Sequence, residues 1–197
     1  PTTSFWDCGE FIACSVTLGV PHPPGTPLFL LLGNVFSNLP TFDDIGARVN
    51  LMSPIASAFS VMFLYLIIVL FLKRFIDDKP EKQKLIEYCA IIGALTFAVT
   101  DSHWFNAVES EVYALSTFFT SIVIWLALKW DERPFNTNSI KYLILISYMM
   151  GLATGIHILN LLAIPCIIFI LFYNKTGTPS LNDIDYKILF KNILYIA

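Results

Sequence analysis

Charge is what this sequence has least of. Only 14% of its 197 residues are Asp, Glu, Lys or Arg, whereas 56% are apolar or aromatic and the mean hydropathy is +0.68. A water-soluble domain carries about 25% charged residues, so the surplus apolar surface is expected to face lipid. The same scarcity, with a net charge of −3 and no basic stripe, excludes a nucleic-acid binder, and the apolar excess excludes a disordered region. Metal-type cysteine spacing is absent too. Cys8, Cys14, Cys89 and Cys166 form no C-x-x-C pattern, and two of them sit in apolar runs where a thiol is a small hydrophobe. No redox compartment follows from them. There is no initiator Met and no signal-type n-region and h-region, and the last residues, 188–197, open another apolar run. The stretch is therefore expected to be a piece of a longer polypeptide.

What is there in quantity is long apolar runs. A spanning helix needs about 20 mostly apolar residues, and the clearest candidate is 50–72, which has no charged residue. Further spans are expected at 85–100, with Glu87 at its edge, and at 112–128, 142–156 and 159–173, some short enough to need tilt or flanking residues. The run 27–37 is shorter, bounded by Gly25 and by Asn38 to Pro40, and reads as a re-entrant or interfacial helix. The fold class expected is an all-α polytopic membrane protein: one partial transmembrane domain over 1–197, with 1–49 as a loop carrying short interfacial helices.

Eleven of the twelve Lys and Arg fall in 73–84, 129–141 and 174–191, which places those segments on the cytoplasmic side and 1–49, 101–111 and 157–158 outside. Asp7, Glu10, Asp43, Asp44, Asp101, Glu109, Glu111 and all three histidines then collect outside, against the single base Arg48. A chemical site, if there is one, opens outward.

Within that outer set, Asp7 and Glu10 are three residues apart, so on a helix they share a face, and Phe5, Trp6, Phe11 and Ile12 would seat that helix in the interface. A carboxylate held among aromatic rings gains basicity by desolvation. The same spacing is also that of first-turn acids on a helix capped by Thr2, Thr3 or Ser4, and spacing alone does not decide. His22 stands before Pro23-Pro24-Gly25 on a stiff, extended backbone at the mouth of an apolar run, as a fixed imidazole or as an incidental residue in a breaker. Glu109 and Glu111 are two apart and do not share a helical face, so one is expected to point to a cavity and the other to cap the next span. His157 and Asn160 lie in a tight turn between spans. Arg48 could meet a lipid-linked phosphate or snorkel at the interface. The charge runs 77–81 and 131–133 read as solvated loops.

Taken together, His22-Pro23-Pro24, then Pro27 to Gly33, then Ala47-Arg48-Val49-Asn50-Leu51-Met52-Ser53 resemble the pattern of GT-C membrane glycosyltransferases, the superfamily of protein O-mannosyltransferases and aminoarabinose transferases. FWDCGEFIA at 5–13, GVPHPPGTPLF at 19–29, AVESEVYALSTFF at 107–119 and GIHILNLLAIP at 155–165 are more closely similar to a family once described only as a domain of unknown function. Its eukaryotic member is the transmembrane O-mannosyltransferase of plexin-type IPT domains, and its bacterial members are of Bacteroidetes type. The resemblance implies a GT-C-like helix bundle and an inverting transferase that moves a sugar, such as mannose, from a polyprenyl-phosphate carrier to a protein hydroxyl. It would work on the periplasmic face of a bacterial inner membrane or the lumenal face of the ER membrane. It implies Asp7 as general base with Glu10 next, and substrate contacts from His22, Arg48, Glu109, Glu111 and His157. A divalent metal at Glu109 or Glu111 is the one cofactor with a place in this reading, without dedicated ligand spacing. The competing classes are a transporter, for which the nearly charge-free spans offer few pathway residues, and a structural subunit of an envelope assembly, which has no use for clustered acids.

Overall fold

The computed structural model describes residues 6–76, 79–132 and 137–176, and all regular structure among them is helical. The cap expected from Thr2, Thr3 or Ser4 and the run 188–197 lie outside the described residues.

Three short helices come first. α1 (Cys8–Thr17) ends where Leu18 turns left-handed, φ 52°, and Gly19 N–H returns to the Cys14 carbonyl at 3.0 Å. α2 (Pro27–Ser37) starts with Pro at its first turn, where a missing N–H costs nothing. It packs on α1 and completes it: Asn34 Nδ2 donates to the carbonyls of Ser15 at 2.9 Å and Val16 at 3.3 Å, both near the unpaired end of α1. The crossing is close because position 33 is glycine; a Cβ there would lie 2.4 Å from Ser15 Oγ and 2.9 Å from Ser15 Cβ. Gly33→Ala is therefore expected to cost about 2 kcal/mol by overpacking, and Ser15→Gly in the same chain should recover most of it. Thermal unfolding of the purified single and double variants checks this; a double variant no better than Gly33→Ala would move the strain elsewhere. α3 (Ile45–Asn50) is capped by Asp44, whose side chain accepts from Ala47 N–H at 3.2 Å.

The long helices follow. α4 (Met52–Leu72) has 21 residues, roughly 31 Å at 1.5 Å per residue, the thickness of a bilayer core. It buries Ser53, Ala56, Ser57 and Ser60, spaced as one small-residue stripe that permits close helix approach. Phe59 and Phe63 contact Phe118 at 6.0 Å and Phe63 contacts Trp125 at 5.3 Å, fixing α4 against α7 (Val112–Asp131). The two run parallel: Asn50, at the start of α4, bonds Val108 and Ser110 just before α7, while Arg74, past the end of α4, pairs with Asp131 at the end of α7. α5 (Pro80–Ala98) makes the return, and α6 (Asp101–Ala107) leaves its axis by 66°.

α8 (Thr137–Thr154), a 3-10 turn (Ile158–Leu162) and α9 (Ala163–Thr176) are the last elements among the described residues. Phe11, Phe29, Met52, Leu115 and Ile156 share one core, which ties the short helices to the ends of α4, α7 and α8. A second core joins α7, α8 and α9 through Val123, Ala127, Ile146 and Ile167. Among the described residues, two helices are long and apolar enough to cross a membrane, and a third if the bent α5–α6 pair is one broken span.

Candidate active site

The acids of the first segment meet a histidine brought back by the loop between α1 and α2. Asp7 immediately precedes α1 and Glu10 lies in its first turn. After α1 the chain turns through Pro21, His22, Pro23 and Pro24, with a cis peptide between the two latter prolines. Gly25, at φ 74°, closes the turn by donating its N–H to the His22 carbonyl at 3.0 Å. This geometry aims both the backbone and the ring of His22 at Glu10: the N–H donates to Oε1 at 2.8 Å, and Nδ1 lies 2.8 Å from Oε2. Nε2 lies 3.8 Å from Asp7 Oδ2. Buried Phe11 supports the imidazole at 5.7 Å and itself packs on Phe29.

The hydrogen bonds from His22 hold the Glu10 carboxyl below its ordinary range, and the bond to Glu10 raises the imidazole above its own. Asp7, Glu10 and His22 each offer a ligand atom within 4.8 Å of the others, so this trio could hold a divalent cation. Glu109 and Glu111 belong to no such trio among the described residues.

On its other side Asp7 faces the second acidic segment. A cleft of 250 Å³ is lined by Trp6, Asp7, Phe105, Asn106, Glu109, Glu111 and Tyr113. Glu109 and Glu111 are both buried and both line it. The expected division, one to a cavity and one to a cap, does not hold: Glu111 occupies the position before α7 without a capping bond from its side chain. Cys8 Sγ donates to its Oε1 at 3.7 Å, and its carboxyl is raised, first by burial and then by the charge of Asp7. The parallel packing of α4 and α7 brings these loops together. Asn50 Nδ2 donates to the Val108 carbonyl at 2.9 Å and Ser110 Oγ donates to Asn50 Oδ1 at 3.3 Å, anchoring the second loop over the start of α4.

The remaining candidates sit around this centre. His157 stacks on Tyr113 at 5.5 Å and its Nδ1 accepts the Leu159 N–H at 3.2 Å, which leaves Nε2 to carry the proton; burial lowers its pKa. Arg48 lines neither the cleft nor the groove described next. It donates from Nε to the Phe42 carbonyl and from Nη1 to the Ser37 carbonyl at 3.3 Å, tying the α2–α3 loop to α3. Beyond α6, the 66° bend opens an apolar groove of 350 Å³ between α4 and α5–α6, lined by Pro54, Ala58, Val61, Ala98, Trp104 and Val108, with buried His103 at its wall. Sequence reasoning missed Trp6, Phe105, Asn106 and Tyr113 as cleft residues and Asn50 as its anchor. The only signal for the first four was their company, aromatic and amide side chains beside the acids.

The sequence pattern of the family described as "Protein O-mannosyl-transferase TMEM260 N-terminal domain" matches residues 7–180, a stretch that holds every residue of this centre except Trp6. The chain belongs to that family. It is 26% identical to protein O-mannosyl-transferase tmem260 of Dictyostelium discoideum over 99% of its own length, and 27% identical to protein O-mannosyl-transferase TMEM260 of Mus musculus over 89%. These alignments cover 23% and 24% of the two relatives, so the chain spans about a quarter of the length of the curated relatives it matches. No solved structure matches it. The resemblance read from its separated motifs is thus a family membership, and the family's match takes in both acidic segments and the His22 turn.

Proposed function

We propose that the chain carries the reaction centre of a membrane glycosyltransferase that moves a sugar, in the first instance mannose, from a polyprenyl-phosphate carrier to a hydroxyl of a protein acceptor. The observation that carries this reading is the position of Asp7, at the point where the His22–Glu10 pair and the cleft with Glu109 and Glu111 meet. The names of the relatives support protein O-mannosylation, and the Lys and Arg distribution supports a centre facing the periplasm or lumen.

In this mechanism Asp7 accepts the proton of the acceptor hydroxyl as its oxygen forms a bond to the anomeric carbon. The bond from that carbon to the phosphate oxygen breaks on the opposite face, and the polyprenyl phosphate leaves with the electron pair. Inversion follows from the opposed faces. Glu10, held at low basicity by two bonds from His22, is a poor base and orients the trio. Buried Glu111 shares the cleft with Asp7, and its carboxyl is raised by burial and then by the charge of Asp7. The groove behind α6 gives the apolar prenyl chain a place beside the cleft. A divalent cation, where one takes part, would be held by Asp7, Glu10 and His22, and would supply positive charge toward the departing phosphate.

The test is sugar transfer by the full-length protein to an acceptor domain, offered polyprenyl-phosphate mannose or a nucleotide-linked mannose in turn. Transfer from the lipid-linked donor alone is expected; transfer from the nucleotide sugar would overturn the donor assignment.

The trio also sets a pH dependence. A lowered Glu10 pKa keeps its contribution present above the ordinary carboxyl value and loses it as pH falls through the lowered one. A raised His22 pKa keeps its contribution fully present below the ordinary imidazole value of 6.5 and loses it as pH rises through the raised one. Thermal stability is therefore expected to show a falling alkaline limb above 6.5 that is missing in His22→Gln. A limb that survives the substitution would belong to another group.

A further inference from the structure

We infer that Trp6 is the platform on which the pyranose ring of the donor stacks, making the mouth of the acidic cleft a single-sugar subsite. The inference rests on the reading of this cleft as the transfer centre. Trp6 is 86% exposed, although an indole is the largest apolar surface a side chain can offer. Its backbone is left-handed at φ 64°, a conformation rare for a bulky residue and concentrated at functional sites. That conformation sits directly before Asp7, in the turn that starts α1, and the indole stands at the edge of the cleft rather than in the core.

The rest of the lining has the composition a sugar needs. Phe105 and Tyr113 add two more aromatic faces, and Asp7, Asn106, Glu109 and Glu111 add hydrogen-bonding groups between them. A pyranose is amphipathic in the same way: its axial C–H bonds form an apolar patch that packs on a ring, and its hydroxyls form a rim that donates to carboxylates and amide oxygens. The lining contains three carboxyl groups and no Lys or Arg, so it suits the hydroxyl groups of a neutral ring. Its volume of 250 Å³ lies below the roughly 300–1,000 Å³ of pockets for drug-sized ligands, which fits one ring and not a chain of them.

The experiment uses full-length protein and short-chain polyprenyl-phosphate mannose, with Trp6→Ala, Trp6→Phe and Asp7→Asn measured side by side. Trp6→Ala is expected to raise the donor KM about tenfold while kcat stays within about threefold, and Trp6→Phe should restore most of the loss, because a ring of either kind can stack. Donor titration should also change the tryptophan emission of the natural protein more than that of Trp6→Phe, the difference reporting Trp6 apart from Trp104 in the neighbouring groove. An unchanged donor KM in Trp6→Ala, or a fall in kcat that Phe does not rescue, would overturn the platform. If Asp7→Asn is inactive at the same time, only the platform has failed; if Asp7→Asn transfers normally, the reading of the cleft has failed with it.

Discussion

Asp7→Asn should lower turnover by roughly 10²–10⁴ while donor affinity persists, because the amide keeps the shape of the carboxyl and cannot accept a proton. The residue lies in the cleft with Glu111, and its carboxyl is 3.8 Å from His22 Nε2, so one change touches both halves of the centre. Glu10→Gln should cost far less. Its carboxyl already receives two hydrogen bonds from His22 at 2.8 Å and is held below the ordinary range, so little basicity is lost with it. Glu111→Gln removes a buried acid next to Asp7 and is expected to change the pH dependence of turnover more than its maximum. The measurement is transfer to an acceptor domain in detergent or liposomes, with donor binding read separately. Near-full turnover in Asp7→Asn together with loss in Glu111→Gln would move the base to the second loop.

The largest effect on stability is expected at Asn160, which no chemistry requires. Its side chain is buried at 2% exposure and every hydrogen-bonding position on it is used. Nδ2 donates to the carbonyls of Ala153 at 2.8 Å and His157 at 2.9 Å, and Oδ1 accepts from Ser116 Oγ at 2.8 Å and Thr120 Oγ1 at 2.9 Å. One amide thus fastens the end of α8 and the 3-10 turn to α7. Asn160→Leu matches its size and strands the hydroxyls of Ser116 and Thr120, while the carbonyls of Ala153 and His157 keep their backbone donors, for an expected loss of about 3 kcal/mol. Thermal unfolding of the purified protein reads it, and adding Ser116→Ala and Thr120→Val to Asn160→Leu should recover part of the loss, because the donors are then removed together with their partner. A melting temperature unmoved by Asn160→Leu would mean that water closes this turn instead. The loss should also reach the site, since His157, whose carbonyl Asn160 holds, stacks on Tyr113 in the wall of the cleft.

Much of the helical layout was legible along the chain. Pro27 fixed the start of α2 and Ser37 its end, because a proline is tolerated in a first turn and an Asn-Leu-Pro sequence cannot extend a helix. The run without charge became α4, since lipid-compatible length and apolarity are properties a sequence carries locally. The span expected at 85–100 ends near the end of α5 at Ala98, but that residues 101–107 continue as a second helix turned by 66° was not legible.

Composition and local pattern alone determined that the chain is helical, faces lipid and keeps its acids and histidines in separate short segments between apolar runs, and the resemblance of its motifs to a known family added the membrane transferases. Only the tertiary structure decided which of those groups meet. Asp7 and Glu111 are about a hundred residues apart in the chain and share a cleft because α4 and α7 begin at the same end and Phe11 of α1 packs there in one core with Met52 and Leu115. Glu10, which shares a helical face with Asp7, is bonded to His22 by a turn of prolines and glycine, and Arg48, open in the sequence to a phosphate or to snorkelling, donates to the carbonyls of Phe42 and Ser37. Helical periodicity says which residues share a face, but which faces and ends come together depends on packing between helices, and that packing is what lowers the pKa of Glu10 and raises that of Glu111.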